Sequence, residues 1–123
     1  KNFPTKEYLK EHFDGMLHER GIYVDERVEI AGGNAVLLGA CEAECGVEKY
    51  AVSRLYVKHD SRVVIRARDH AFVMVDALDD AAVEVHCEGE SKVVVNLYAR
   101  AVAVTDGDGY AKVVHKNKET YDL

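Results

Sequence analysis

A chain of 123 residues is the length of about one domain, and 48% hydrophobic with 31% charged residues is a folding rather than a disordered composition. The formal net charge of −6 argues against general affinity for DNA, RNA or anionic lipid. No apolar run approaches the roughly 20 residues that a membrane-spanning helix needs.

The first residues, "KNFPTKEYLK", lack the apolar core of a signal segment, although a chain opening at Lys1 leaves room for upstream residues and a secreted form. Three cysteines, Cys41, Cys45 and Cys87, are an odd number without a disulfide-rich setting. They favour free thiols, a reducing compartment and a cytoplasmic location.

Residues 4–21 read as one helix. Pro4 suits a first turn, and Thr5 can cap its amides. Leu9, Phe13, Met16 and Leu17 then form one apolar stripe, and Gly21 suits the left-handed end. The helix is expected to cap one end of whatever follows. From "GIYVDERVEI" the period changes to two, with Ile22, Val24, Val28 and Ile30 as strand material. "AGGNA" marks a break, and "GACEAECGVEK" fits neither template, so 22–50 is expected to hold irregular first strands and a loop.

At about Ala51 a ten-residue clock begins and runs to about residue 116, ahead of a polar tail over 117–123. Its leading places are Ala51, Ser61, Ala71, Ala81, Ser91, Ala101 and Ala111. The third and fifth places are mostly Val, Ile or Leu, and corners such as "RDH", "LDD" and "EGE" close each unit. Alternation over seven residues describes a strand with one face inward. A strict short period is the mark of stacked coils, in which a unit buries its apolar face only by piling on the next. Two units per coil give about 20 residues and two facing sheets; three give a wide prism. Small inward Ala, Ser and Val fill only the narrower coil without voids. An antiparallel meander is the rival, but it gives leading small residues no common file. The expected architecture is therefore a single-domain, mainly β solenoid of two parallel sheets, wound right-handed.

The phrases "DDAAVEV", "RAVAV" and "DHAFVMV" resemble the Ala-x-Val-x-(Ala/Val) decapeptide arrays of uncharacterised β-solenoid proteins from gut bacteria and their phages. The likeness covers about residues 51–114 and a leading "P-T-x-E-Y-L-K-E" segment. It implies the fold and carries no activity.

Chemistry-bearing residues are few. Cys41, Cys45, Cys87 and His86 have zinc-ligating types, yet "CEAEC" is not a compact knuckle, and Cys87 falls at an inward place where its counterparts are Ala67 and Ala77. "TDGDGY" offers Asp106 and Asp108 to calcium but reads as a plain turn. His12, His18, His59, His70, His86 and His115 accompany no nucleophile elbow, phosphate loop or dinucleotide fingerprint. Acid pairs Asp79–Asp80 and Glu88–Glu90 fall on corners, where solvated turns are the plainer reading. No cofactor or metal is expected, and no enzyme.

The outward places say more. One sheet is expected to show a stripe of Tyr56, Phe72, Met74, Val94 and Val114, and such a patch on a soluble sheet marks a contact. Cover by the N-terminal helix and self-association are the two readings of it. The leading function is a non-enzymatic structural or interaction module that forms a homo-oligomer through a sheet face or a coil end. The alternative is a polysaccharide-binding module using Tyr56, Phe72 and Tyr98, and a metal-dependent regulator resting on Cys41, Cys45 and His86 stands third. Neither nucleic acid nor membrane is an expected partner.

Overall fold

The computed structural model describes residues 16–116. Of the helix expected over 4–21, only α1 (Met16–Glu19) lies within that range; the expectations for Leu9, Phe13, His12 and the tail 117–123 lie outside the described residues. Eleven strands follow: β1 (Ile22–Val24), β2 (Arg27–Ile30), β3 (Gly33–Leu38), β4 (Glu42–Val47), β5 (Val52–Val57) and β6 (Arg62–Ala67). The rest are β7 (Phe72–Ala77), β8 (Ala82–Cys87), β9 (Lys92–Leu97), β10 (Val102–Asp106) and β11 (Tyr110–His115).

Odd and even strands separate into two parallel sheets, in the orders β1-β3-β5-β7-β9-β11 and β2-β4-β6-β8-β10. From β3 through β10 the partners lie 20 residues apart, as in Ser53 beside Val73 and Val63 beside Val83. Consecutive ten-residue units thus alternate between sheets, and two units make one coil of a flattened β-solenoid.

Period-two burial builds the core. In β7, Val73, Val75 and Ala77 are fully buried while Phe72, Met74 and Asp76 stand outward. Files of Leu55, Val75 and Val95 from one sheet and Val63 and Val83 from the other form one continuous apolar cluster. Each such valine contributes about 1.5–3 kcal/mol by leaving water. Three inward places are serines, and each hydroxyl is engaged. Ser61 Oγ donates to the Gly39 carbonyl at 3.1 Å and accepts from the Cys41 N–H at 3.2 Å.

Corners are as regular as strands. The N–H at each leading place donates to the carbonyl three residues earlier, at 3.1 to 3.3 Å from Ala51 to Ala101. The ninth place of each unit from 31–40 to 91–100 sits at positive φ: Gly39, Lys49, His59, Asp69, Asp79, Gly89 and Ala99 lie between 54° and 72°. Most of these are not glycine, so side chains have to offset the strain. They do so across coils: Asp69 Oδ2 accepts from the Lys49 N–H at 2.9 Å, His59 Nδ1 from the Gly39 N–H at 2.9 Å, and Asp79 Oδ2 from the His59 N–H at 3.3 Å.

Three expectations change. The stretch "GACEAECGVEK" is not a loop: it contains β4, whose residues pair 20 places from β6 with Cys41, Ala43, Cys45 and Val47 inward. The clock therefore already runs through 31–50, ahead of the expected boundary at Ala51. Ala51 itself, expected in the core file, is exposed. The first coil is short, with Ile22 beside Val36 and Arg27 beside Glu42, so among the described residues no strand lies under the leading end of β3 or below Ala51. The last coil is short as well. Tyr110 pairs with Lys92, which moves Ala111 from the leading file to the third, where it is half-buried beside Val93.

Candidate functional site

The same short coil breaks the expected outward stripe. Lys112, not Val114, lies beside Val94, and Val114 lies beside Asn96. The middle file of that face therefore reads Asn34, Arg54, Met74, Val94, Lys112. Met74 and Val94 are half-buried, as are Tyr56 and Phe72, and the Arg54 guanidinium reaches the Met74 sulfur at 3.6 Å. Of the leading file, Ser61, Ala71, Ala81, Ser91 and Ala101 are buried.

Apolar exposure is not confined to that face, where Val52 beside Phe72 is 60% exposed; it also lies on β10. Val102 is 57% and Val104 65% exposed, on the outer side of an edge strand. The Val102 N–H donates to the Ala81 carbonyl, so by alternation Ala103 and Thr105 turn their N–H and C=O groups toward the open side. The inward places there, Ala103, Ala111 and Val113, are only half-buried, because no further coil covers them among the described residues. At the opposite edge of the same sheet, β2 presents Arg27 and Glu29, and Arg27 pairs with Glu42 at 3.0 Å. Charge guards one edge and valine marks the other.

Beside Val104 lies the one histidine held by two acids among the described residues. His86 Nε2 is 2.6 Å from Glu84 Oε2, two places along β8 on the same face, and Nδ1 is 2.7 Å from Asp106 Oδ1 on β10. The hydrogen bond to Glu84, then that to Asp106, raises the imidazole above its ordinary range. Asp106 is the last residue of β10. The corner after it turns at Gly107 with φ +101° and fits against Cys87. Asp108 Oδ1 accepts from the Gly89 N–H at 2.9 Å, so the two carboxylates of "TDGDGY" serve different partners.

The other candidates are dispersed. Cys41 and Cys45 point into the core while His86 points out of it, so the structure does not bring that set together. Among the described residues no group of three His, Cys, Asp or Glu is placed to hold a metal ion. Burial pushes the Cys41 and Cys45 thiols up. Asp79 joins Lys58 at 3.0 Å and Asp80 joins Arg100 at 2.7 Å, which holds the Asp80 carboxyl below its usual range. Glu88 and Glu90 are exposed on their corner, and His115 is exposed on β11. Tyr98, expected to stack on sugars, is buried.

One aromatic feature went unread in the sequence. Tyr50 and His70, tenth places one coil apart, stack with ring centroids 4.7 Å apart and planes 11° from parallel. The signal was an aromatic pair at a spacing of 20, legible only once two units are known to make a coil. No helix among the described residues is long and apolar enough to cross a membrane. Compared with known proteins, no family model, curated protein or solved structure matches the chain.

Proposed function

We propose that the protein is a non-enzymatic interaction module that forms a homodimer through the C-terminal end of its coil. The observation that carries this is the β10 edge: a strand side that pairs with no strand among the described residues and bears exposed Val102 and Val104, with no Lys or Pro to discourage pairing. The half-buried Ala103, Ala111 and Val113 extend the same apolar end. The two ends differ in chemistry, since β2 carries Arg27 and Glu29. That favours like meeting like across a two-fold axis over head-to-tail growth, because an isologous contact closes. The expected pairing is β10 against the partner's β10, antiparallel, with the end of each core sealed by the other.

Light scattering with sedimentation equilibrium tests this. The wild type is expected to be a dimer and Val102→Lys a folded monomer, while Met74→Asp and Val94→Lys on the sheet face leave the dimer intact. A wild type that stays monomeric at every concentration overturns the reading. Loss of the dimer in Met74→Asp alone moves the contact to the sheet face.

The Tyr50–His70 stack supports a second reading, polysaccharide binding, because an exposed ring at a corner suits the flat face of a sugar. A glycan array probed with wild type and Tyr50→Ala decides it: no hits removes the reading.

A further inference from the structure

Strand alternation puts Glu84 and His86 on one outer face of β8, and the coil register puts Asp106 beside His86. Both ring nitrogens thereby face carboxylate oxygens, at 2.6 Å and 2.7 Å. A neutral imidazole has one N–H and one lone pair, so it satisfies only one of these acids and turns a lone pair on the other. Only the imidazolium donates to both. Holding both acids thus requires the proton.

Other charged groups face the ring as well. Arg66 on β6 is the register partner of His86, and its positive charge opposes protonation. Glu88 lines the same hollow as His86 and favours protonation, and the Arg68 and Glu48 charges that also line it pair with each other. Gly46 on β4 adds no charge in that file, and Val64 and Val104, the neighbours of Glu84, do not titrate. The two carboxylates in hydrogen-bond contact outweigh Arg66, which makes no ion pair with them.

This cluster sits at a mechanically weak place. Among the described residues the His86–Asp106 contact is the one side-chain hydrogen bond between β8 and β10. The remaining outward β10 side chains, Val102 and Val104, have no polar group to add.

We propose that Glu84, His86 and Asp106 form a proton-operated latch that fixes the end strand β10 at low pH and loosens it as pH rises, and so sets the range in which the C-terminal edge is presented to a second copy. This rests on the end-to-end reading above. The direction follows from linkage. A histidine whose folded value is raised stabilises the latched form fully below the ordinary imidazole value, and that contribution is lost as pH rises through the raised one.

The test uses the full chain and two readouts. The first is hydrogen exchange of the Val104 and Asp106 amides, which face β8, in the Val102→Lys monomer, corrected for intrinsic rates, at about pH 5.5 and about pH 8.5. The second is the wild-type dimer affinity at the same two values. Exchange is expected to be about fivefold faster, and affinity about fivefold weaker, at the higher pH. His86→Gln, which cannot take the proton, is expected to exchange at the faster rate at both. Equal protection at both values in Val102→Lys, or an undiminished pH response in His86→Gln, overturns the latch. A wild type monomeric at both values whose Val104 and Asp106 exchange still titrates overturns the dimer and leaves the latch on the strand. A dimer indifferent to pH, with exchange to match, overturns the latch and leaves the dimer.

Discussion

The Asp69 carboxylate accepts the backbone N–H of Lys49, one coil earlier, at 2.9 Å, and both residues sit at φ 60°. The contact links two strained corners: the earlier coil offers its amide, and the next supplies an acceptor on a side chain. Asp69→Ala loses the acceptor and keeps the strain, so a loss of about 1 kcal/mol is expected in urea unfolding. Asp69→Gly loses the acceptor but relieves the strain and should fall between Ala and wild type. Asp69→Asn keeps both an acceptor and a tolerance for positive φ, and should be nearly neutral. Equal losses in all three would mean that the corner link contributes nothing.

Ser61 makes a related bond inside the core. With Oγ gone, the Cys41 N–H, which donates to it at 3.2 Å, is left buried without that acceptor. Ser61→Ala is expected to cost about 1–3 kcal/mol. The next layer holds Ala81 at the same place, so the effect is one of hydrogen bonding and not of volume. Chemical denaturation of the two serine variants Ser61→Ala and Ser61→Cys separates the causes, since the thiol fills the space but accepts weakly.

At the last corner, a Cβ on Gly107 would lie 2.0 Å from the Cys87 carbonyl oxygen, at a φ of +101°. Backbone has to move, so Gly107→Ala is expected to cost about 2 kcal/mol or more and to raise exchange over 102–116. Gly33, at φ +80° with open space around it, isolates the conformational part: Gly33→Ala should cost about 1–2 kcal/mol. A milder effect at Gly107 than at Gly33 would contradict the close approach.

Cys41, Cys45 and Cys87 are all buried, and burial holds the first two thiols above their ordinary range. The thiolate is the reactive form, so a maleimide is expected to label the native protein slowly and the urea-unfolded chain at once. Rapid labelling of Cys45 under native conditions would show that the coil opens locally around β4.

Much of the architecture was readable because one period sets both burial and register. Val63, Val73 and Val83 face inward for the reason that the pattern implies: at two units per coil, each meets its own kind one layer away. The segment 41–47 escaped because its inward residues, Cys41, Ala43 and Cys45, are small and lack the β-branched signature, although Glu42 and Glu44 already alternate with them. The shortened coils at either end escaped for another reason. Their length is set by where the chain turns, at Asp25 in one case and Gly107 in the other, and not by the ten-residue period. The candidate edge is a matter of position: Val102 and Val104 read like any outward pair until β10 proves to be the last strand of its sheet among the described residues.

The two-unit coil makes length a discrete variable for this fold. Removing residues 61–80 would join Asp60 to Ala81 and return every downstream strand to its own sheet, facing the same files, one storey lower. Removing only 61–70 would send each downstream strand to the opposite wall, and Asp106 and His86 would travel with it. Variants of this scaffold should therefore survive changes in steps of whole storeys and fail at the half step.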